Sequence, residues 1–221
     1  MTFRLAGLVV ILATLSPPQD GAVPVEEEPH HKTVFNNDYV QAFRVTLEPG
    51  SKSLMHTHAL DDAAVRLSTA TVAAERPGQP LGPAEPVQPG LVSARDNEAK
   101  PHTHRVHNIG ATVFDVIDVQ ILRRPPGPAA PEISLPAAEN AKMRVYRYEL
   151  GPGATTAQHT HARPYLLVAA TAIDLAMTSP DGGSKETAVK AGDMHWVDTA
   201  VTHAFMNRGP EKGILVEFEL K

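Results

Sequence analysis

The chain has 221 residues, 42% of them hydrophobic and 5% aromatic, with 20 prolines, 15 glycines and no cysteine. This is enough apolar material for one large core or two small ones, while the prolines disfavour long helices and point to short strands and turns. A formal charge of -5, without any Lys/Arg cluster interleaved with aromatics, argues against nucleic acid as a partner, and the lack of cysteine excludes disulfides, so stability rests on packing.

The first residues read MTFR, then the apolar run LAGLVVILATL, then SPPQDGAVP. One positive charge, an apolar stretch and a breaker-rich polar stretch form the layout of a secretory signal peptide, expected over residues 1–22 with Ala22 the last residue removed. The run is too short for a membrane span, which needs roughly twenty residues, so the mature protein is expected in the periplasm or medium with no membrane span. His30 and His31 follow three glutamates, in what reads as a solvated leader. Further on, FRVTL (43–47) and YRYEL (146–150) alternate apolar and polar residues ahead of a Pro-Gly turn, and VEFEL (216–220) alternates at the end. Period two marks strands with one buried face. Between these stretches runs RRPPGPAAPEISLP (123–136), whose five prolines in fourteen residues specify an extended linker.

The linker separates two copies of one unit. NDYVQAFRVTLEPGSKSLMHTH (37–58) lies over NAKMRVYRYELGPGATTAQHTH (140–161) with eight of 22 positions identical. HRVHNIGATVFDVIDVQIL (104–122) lies over HAFMNRGPEKGILVEFELK (203–221), sharing His, then Asn, then Gly in register. The second His of each pair precedes the third by 46 residues in the first unit and by 42 in the second. Such self-similarity is the mark of a duplicated fold. His-x-His on a strand puts both imidazoles on one face, and a third imidazole from a distant strand closes one side of a metal while leaving positions open for water, substrate or dioxygen. Three histidines recurring twice in register make chance a poor account.

Each unit resembles a cupin. The family's first motif is Gly, five residues, His-x-His, three or four residues, Glu, and its second is Gly, a spacer, His, three residues, Asn. Here Gly50 and Gly153 each stand five residues before the His pair, and the second motif reads Gly90, His104, Asn108 and Gly192, His203, Asn207. The resemblance implies an all-β bicupin, two double-stranded β-helix (jelly-roll) barrels in tandem: cupin domain 1 over 34–122, a Pro-rich linker over 123–138 and cupin domain 2 over 139–221. It implies a divalent metal ion (Fe, Mn, Zn or Ni) held by His56, His58 and His104 in the first unit and by His159, His161 and His203 in the second. Neither unit has the family's Glu. Asp62 stands at that position in the first unit and Tyr165 in the second, so the first site is expected to add a carboxylate and hold its metal harder, and the second to be at most three neutral imidazoles unless Tyr165 helps.

His102, two residues before His104, faces the same way and is an alternative third ligand. His195 reads as a satisfied polar residue near the barrel rim, and Arg66 and Arg163 read as surface or salt-bridged residues rather than anchors for an anionic substrate. The catalytic residues are unknown at this stage, and no acid–base pair, Ser or Cys nucleophile or phosphate-cradling loop points to another mechanism. Two classes of function remain open. One is a metal-dependent oxidoreductase or dioxygenase acting on a small organic molecule. The other is a non-catalytic protein of the cell envelope that binds metal or a small ligand. A homodimer is left open.

Overall fold

A computed structural model describes residues 21–221. All but the last two residues of the leader expected over 1–22 lie outside this range. The first half of the chain forms β1 (Val23–Pro24), β2 (His31–Asn36), β3 (Val40–Leu47), β4 (His56–His58), β5 (Asp62–Arg66), β6 (Ala70–Glu75), β7 (Glu85–Val87), β8 (Val92–Arg95), β9 (His102–Asn108) and β10 (Phe114–Ile121). The second half forms β11 (Ala138–Glu139), β12 (Met143–Leu150), β13 (His159–His161), β14 (Tyr165–Ala169), β15 (Ile173–Thr178), β16 (Ser184–Val189), β17 (Met194–Val197), β18 (Val201–Asn207) and β19 (Gly213–Leu220). Apart from a 3-10 turn at Val25–Glu27, these elements are all β.

Each half makes two sheets. In the first half they run β1-β4-β9-β6-β7 and β2-β3-β10-β5-β8; in the second, β11-β12-β19-β14-β17 and β13-β18-β15-β16. Within a half the sheets share a core: Val45, Leu47, Ala64, Val72, Phe114 and Val116 come from both sheets of the first, and Leu150, Leu175, Phe205 and Leu215 from both sheets of the second. Strand pairing draws residues from Val23 onward into the first barrel, ahead of the start expected at residue 34. The segment read as a solvated leader is therefore built in, with Val25 and His31 buried.

The largest core cluster belongs to neither half alone. Val40, Val65, Ile117, Val119 and Ile121 of the first half pack with Met143, Val145, Leu166, Val216, Phe218 and Leu220 of the second. The sheets carrying β10 and β19 thus lie back to back, and every residue of β19 is buried. This changes the meaning of the alternation in VEFEL. Its apolar positions face the other half, and its glutamates face the interior of their own barrel rather than water.

The repeat's motifs serve this architecture symmetrically. Gly50 and Gly153 have positive φ, which glycine adopts without steric cost, and each donates its N–H to the carbonyl of the motif Asn, Asn108 or Asn207, at 2.9 Å. The side-chain amide of each Asn donates back to the end of β3 or β12, at Leu47 O and Leu150 O, both 2.9 Å. The second-motif glycines meet the opposite half. Arg147 Nε donates to Gly90 O at 2.8 Å, and the equivalent Arg44 guanidinium packs on Gly192. The linker is also tied down, because Arg163 donates to the carbonyls of Pro126 and Pro128.

A side chain at Gly90 would meet a positive φ of 80° and place Cβ 2.8 Å from Ile214 Cγ2, whereas one at Gly78 would meet a similar φ of 66° with open space around it. Gly90→Ala is therefore expected to lower unfolding stability by roughly 2 kcal/mol or more and Gly78→Ala by about 1. Denaturant titration of the two variants checks this. Equal midpoints would show that Gly90 is not packed against the other half.

Candidate metal centres

In the second barrel β13 and β18 run antiparallel with His159 opposite His203, and β19 brings Glu217 up beneath them. His159, His161, His203 and Glu217 each present a ligand atom, and all four atoms lie within 4.8 Å of one another. Glu217 Oε2 is 3.0 Å from His161 Nε2 and 3.5 Å from His159 Nε2, and its Oε1 is 3.3 Å from His203 Nε2. Nε2 of His203 and of His159 are 2.9 Å apart. The other ring nitrogens are committed to the protein: His159 Nδ1 pairs with Ala157 O at 2.9 Å, and His161 Nδ1 with Glu219 Oε1 at 2.9 Å. Partners of this kind fix the tautomer and aim Nε2 at the centre.

The second site is therefore not a set of bare imidazoles. Its carboxylate is Glu217, which the sequence reading missed because its alternation resembled a solvent-facing strand. Tyr165 does not take that place. It stacks on His161 with ring centroids 4.1 Å apart, and its hydroxyl is 3.5 Å from His203 Nδ1. Burial and the nearby Glu217 and Glu219 push its phenol up, so it stays protonated. Burial alone would depress His161, but Glu217 and Glu219 outweigh it and raise the imidazole to about 9. Burial would raise Glu217, but hydrogen bonds from His159, His161 and His203 hold it well below the usual carboxylate range.

The first barrel is built differently. β4 and β9 pair so that His56 faces His104 and His58 faces His102. The three imidazoles whose ring nitrogens lie within 4.8 Å of one another are His31, His56 and His58; His104 flanks them, its Nε2 3.4 Å from Nε2 of His58. The ring of His102 is 6.5 Å from that of His58, farther than the 5.3 Å of His104. Asp62 meets the other edge of His58, with Oδ2 3.0 Å from Nδ1 in an ionic contact rather than an aligned hydrogen bond. Asp118 stands on the same side at 3.4 Å and forms a second close group with His58 and Asp62. His58 thus turns Nε2 toward His104 and Nδ1 toward Asp62, whose carboxylate orients the ring and accepts from Asn97 Nδ2 at 2.8 Å.

Asp118 occupies the position that Glu217 has in the second unit, one methylene shorter. Burial and Asp62 push its carboxyl up to about 6. Burial, His31 and His58 push His56 down to about 3, and burial with His56 and His58 holds His104 well below its ordinary value, so both are neutral donors. Of the remaining polar residues singled out in the sequence, His195 is exposed and Arg163 holds the linker. Arg66 lines the first barrel's cavity and donates Nη1 to Ser93 Oγ at 2.7 Å.

Each centre also contains a buried atom whose hydrogen-bonding capacity is unused. In the first His56 Nε2 is such an atom, and in the second Glu217 Oε1, whose 3.3 Å approach to His203 Nε2 is an ionic contact without hydrogen-bond alignment. Buried polar atoms are normally satisfied, so an orphan among converging imidazoles fits a bound divalent metal. A metal in either centre supplies a Lewis acid; His56, His58 and His104 would hold it in the first barrel, and His159, His161, His203 and Glu217 in the second.

No family model matches the chain. It is 29% identical over 83 residues to the β-alanine degradation protein BauB of Pseudomonas aeruginosa, covering 38% of this chain and 86% of that one. Its fold is similar to that of the protein YhaK from Escherichia coli, with a TM-score of 0.57 at 14% identity over 84% of this chain and 87% of that one. It is also similar to oxalate decarboxylase of Bacillus subtilis, which has Mn(II) centres, with a TM-score of 0.52 at 13% identity over 83% and 69%. The fold is thus that of two jelly-roll barrels in tandem, and each barrel carries a histidine cluster whose ligand atoms converge as a metal site requires. No helix among the described residues is long and apolar enough to cross a membrane.

Because the second centre adds a carboxylate to three imidazoles, the expected order of the two sites reverses. Competitive chelator titration of the metal-loaded protein should empty the first barrel before the second. Glu217→Gln should weaken the second site by at least tenfold, since even an outer-shell partner is worth about 10–100-fold. If Glu217→Gln leaves both affinities unchanged, the carboxylate is not a ligand.

Proposed function

We propose that the protein is an exported, metal-dependent bicupin oxidoreductase of the dioxygenase kind, acting on a small organic molecule in its first barrel. The observation that carries this reading is a cavity of about 110 Å³ whose lining joins His56, His58 and His104 to apolar Leu47, Val72 and Phe114 and to charged Arg66, Arg95 and Asp118. The space is smaller than the roughly 300 Å³ at which drug-sized pockets begin, which limits the ligand to a compact molecule. A partly apolar space beside an imidazole cluster that would leave a bound metal with unfilled positions is the combination that metal-assisted oxygen chemistry requires. Arg66, with its Nε buried and unbonded, lines the same cavity and suits a substrate with an acidic group. The leader expected over residues 1–22 from its charge and apolar run is the ground for export to the periplasm or medium.

A second reading is a non-catalytic metal or small-ligand binding protein of the cell envelope. It is favoured by the second barrel, where four candidate ligands converge and His161, His203 and Glu217 are buried, as in a site that holds its ion rather than exposes it.

Oxygen uptake by iron-loaded protein across thiols, diketones, flavonols and small carboxylic acids separates the readings. The enzyme reading expects uptake with one class, abolished in Ala64→Leu, which fills the cavity, while metal content stays at the wild-type level. Tight metal binding with no uptake from any class leaves the binding-protein reading.

A further inference from the structure

The first barrel's centre includes a histidine outside the repeated motifs. His31 opens β2 and pairs with Val45 of β3, which turns its ring into the barrel, where its side chain is 5% exposed. Its ring centroid is 4.6 Å from that of His56 and 5.8 Å from that of His58. The contact is built from behind. Glu28, fully buried at its side chain, stands with Oε2 2.7 Å from His31 Nδ1. A carboxylate accepts the proton on Nδ1, so Nε2 of His31 is left as a lone pair.

The same carboxylate organises His56. Glu28 Oε1 accepts the N–H of Leu54 at 3.0 Å, and the carbonyl of Leu54 in turn accepts from His56 Nδ1 at 2.9 Å. One buried Glu thus sets the tautomer of His31 and holds in place Leu54, the residue whose carbonyl sets that of His56. His56 Nε2 is left as a buried atom without a partner. The segment that carries Glu28 is also bound to the histidine strand itself: β1 pairs in parallel with β4, Val23 opposite His56, and Val23 N donates to Met55 O at 3.0 Å.

The second barrel has a different fourth group. There Glu217 rises from the last strand among the imidazoles; in the first barrel the equivalent Asp118 is shorter and faces Nδ1 of His58 instead. The place left beside His56 and His58 is filled by His31.

We propose that His31 is a ligand of the first barrel's metal, with Glu28 as its positioning residue, so that metal binding there fastens the segment Val23–Asn36 to the barrel. The proposal rests on the reading of the first barrel as a metal centre and gives the two barrels different donor sets: imidazoles alone in the first, imidazoles and a carboxylate in the second. It also makes the N-terminal segment part of the site rather than a tether leading to it.

The test uses the full chain with Co(II) as probe and three variants, reading stoichiometry by equilibrium dialysis, the Co(II) visible spectrum and amide hydrogen exchange. Wild type is expected to bind two ions, and His56→Ala one. His31→Ala should weaken the first site by at least tenfold and change its Co(II) spectrum, and Glu28→Gln should weaken it by about 10–100-fold. In wild type, Co(II) should slow exchange over residues 23–36, a readout that does not depend on any variant folding. If His56→Ala loses an ion while His31→Ala keeps wild-type affinity and spectrum, or if Co(II) leaves exchange over 23–36 unchanged, His31 is not a ligand although the metal centre stands. If His56→Ala still binds two ions, the metal reading of the first barrel fails and the proposal with it.

Discussion

The apolar wall shared by the two barrels is the constraint from which the rest follows. Ile117, Val119 and Ile121 of β10 meet Val216, Phe218 and Leu220 of β19 within one cluster. Because side chains on a strand alternate, committing one face of β10 and β19 to this wall commits the other face to the barrel interiors. Asp118, Gln120, Glu217 and Glu219 are thereby carried into low-dielectric surroundings, where a carboxylate persists only with partners. Burial of the wall is what places charge beneath the histidines.

The two barrels then satisfy that charge differently. In the second, Glu217 and Glu219 both contact His161, one at each ring nitrogen, and the cluster closes on itself. In the first, Gln120 turns away to donate to Glu26 at 2.8 Å, and Asp118 and Asp62 gather on one edge of His58. The interior that remains holds a cavity lined by His56, His58 and His104 together, whereas the cleft beside the second cluster is lined by His159 alone of its four members. A duplicated unit has thus diverged in the polar groups beneath its histidines, by a methylene at Asp118 and Glu217 and an amide at Gln120 and Glu219 on the final strand.

What did not diverge is the frame that presents the histidines. His56 and His159 both pair Nδ1 with the carbonyl two residues before them, at 2.9 Å in each barrel. The threonines within the pairs bond across the ladder to their counterparts, Thr57 to Thr103 and Thr160 to Thr202, at 2.8 Å in both. Asn108 and Asn207 knit the same turn to the same strand. These are local consequences of short motifs, which explains why they survive where the final strands differ.

The sequence by itself determined the duplication and the strand-rich class and singled out the linker and the histidine pairs, because each rests on local spacing: a period of two, a glycine at a turn, a His-x-His that puts two rings on one face. It could not determine what lies across space from those rings. The alternation in VEFEL has the same form whether its glutamates face water or a barrel interior, and only the packing of β19 against β10 decides between them. Likewise His31, after three glutamates and a proline, carries no periodic signal. Its burial depends on β2 pairing with β3 and on Glu28 finding Leu54, 26 positions further along the chain. Asp62 sits where the family places a ligand, yet which edge of His58 it meets follows from the ring's tertiary setting between Asp118 and His104. Local chemistry chose the strand and the donor; the meeting of two sheets chose which face became a site.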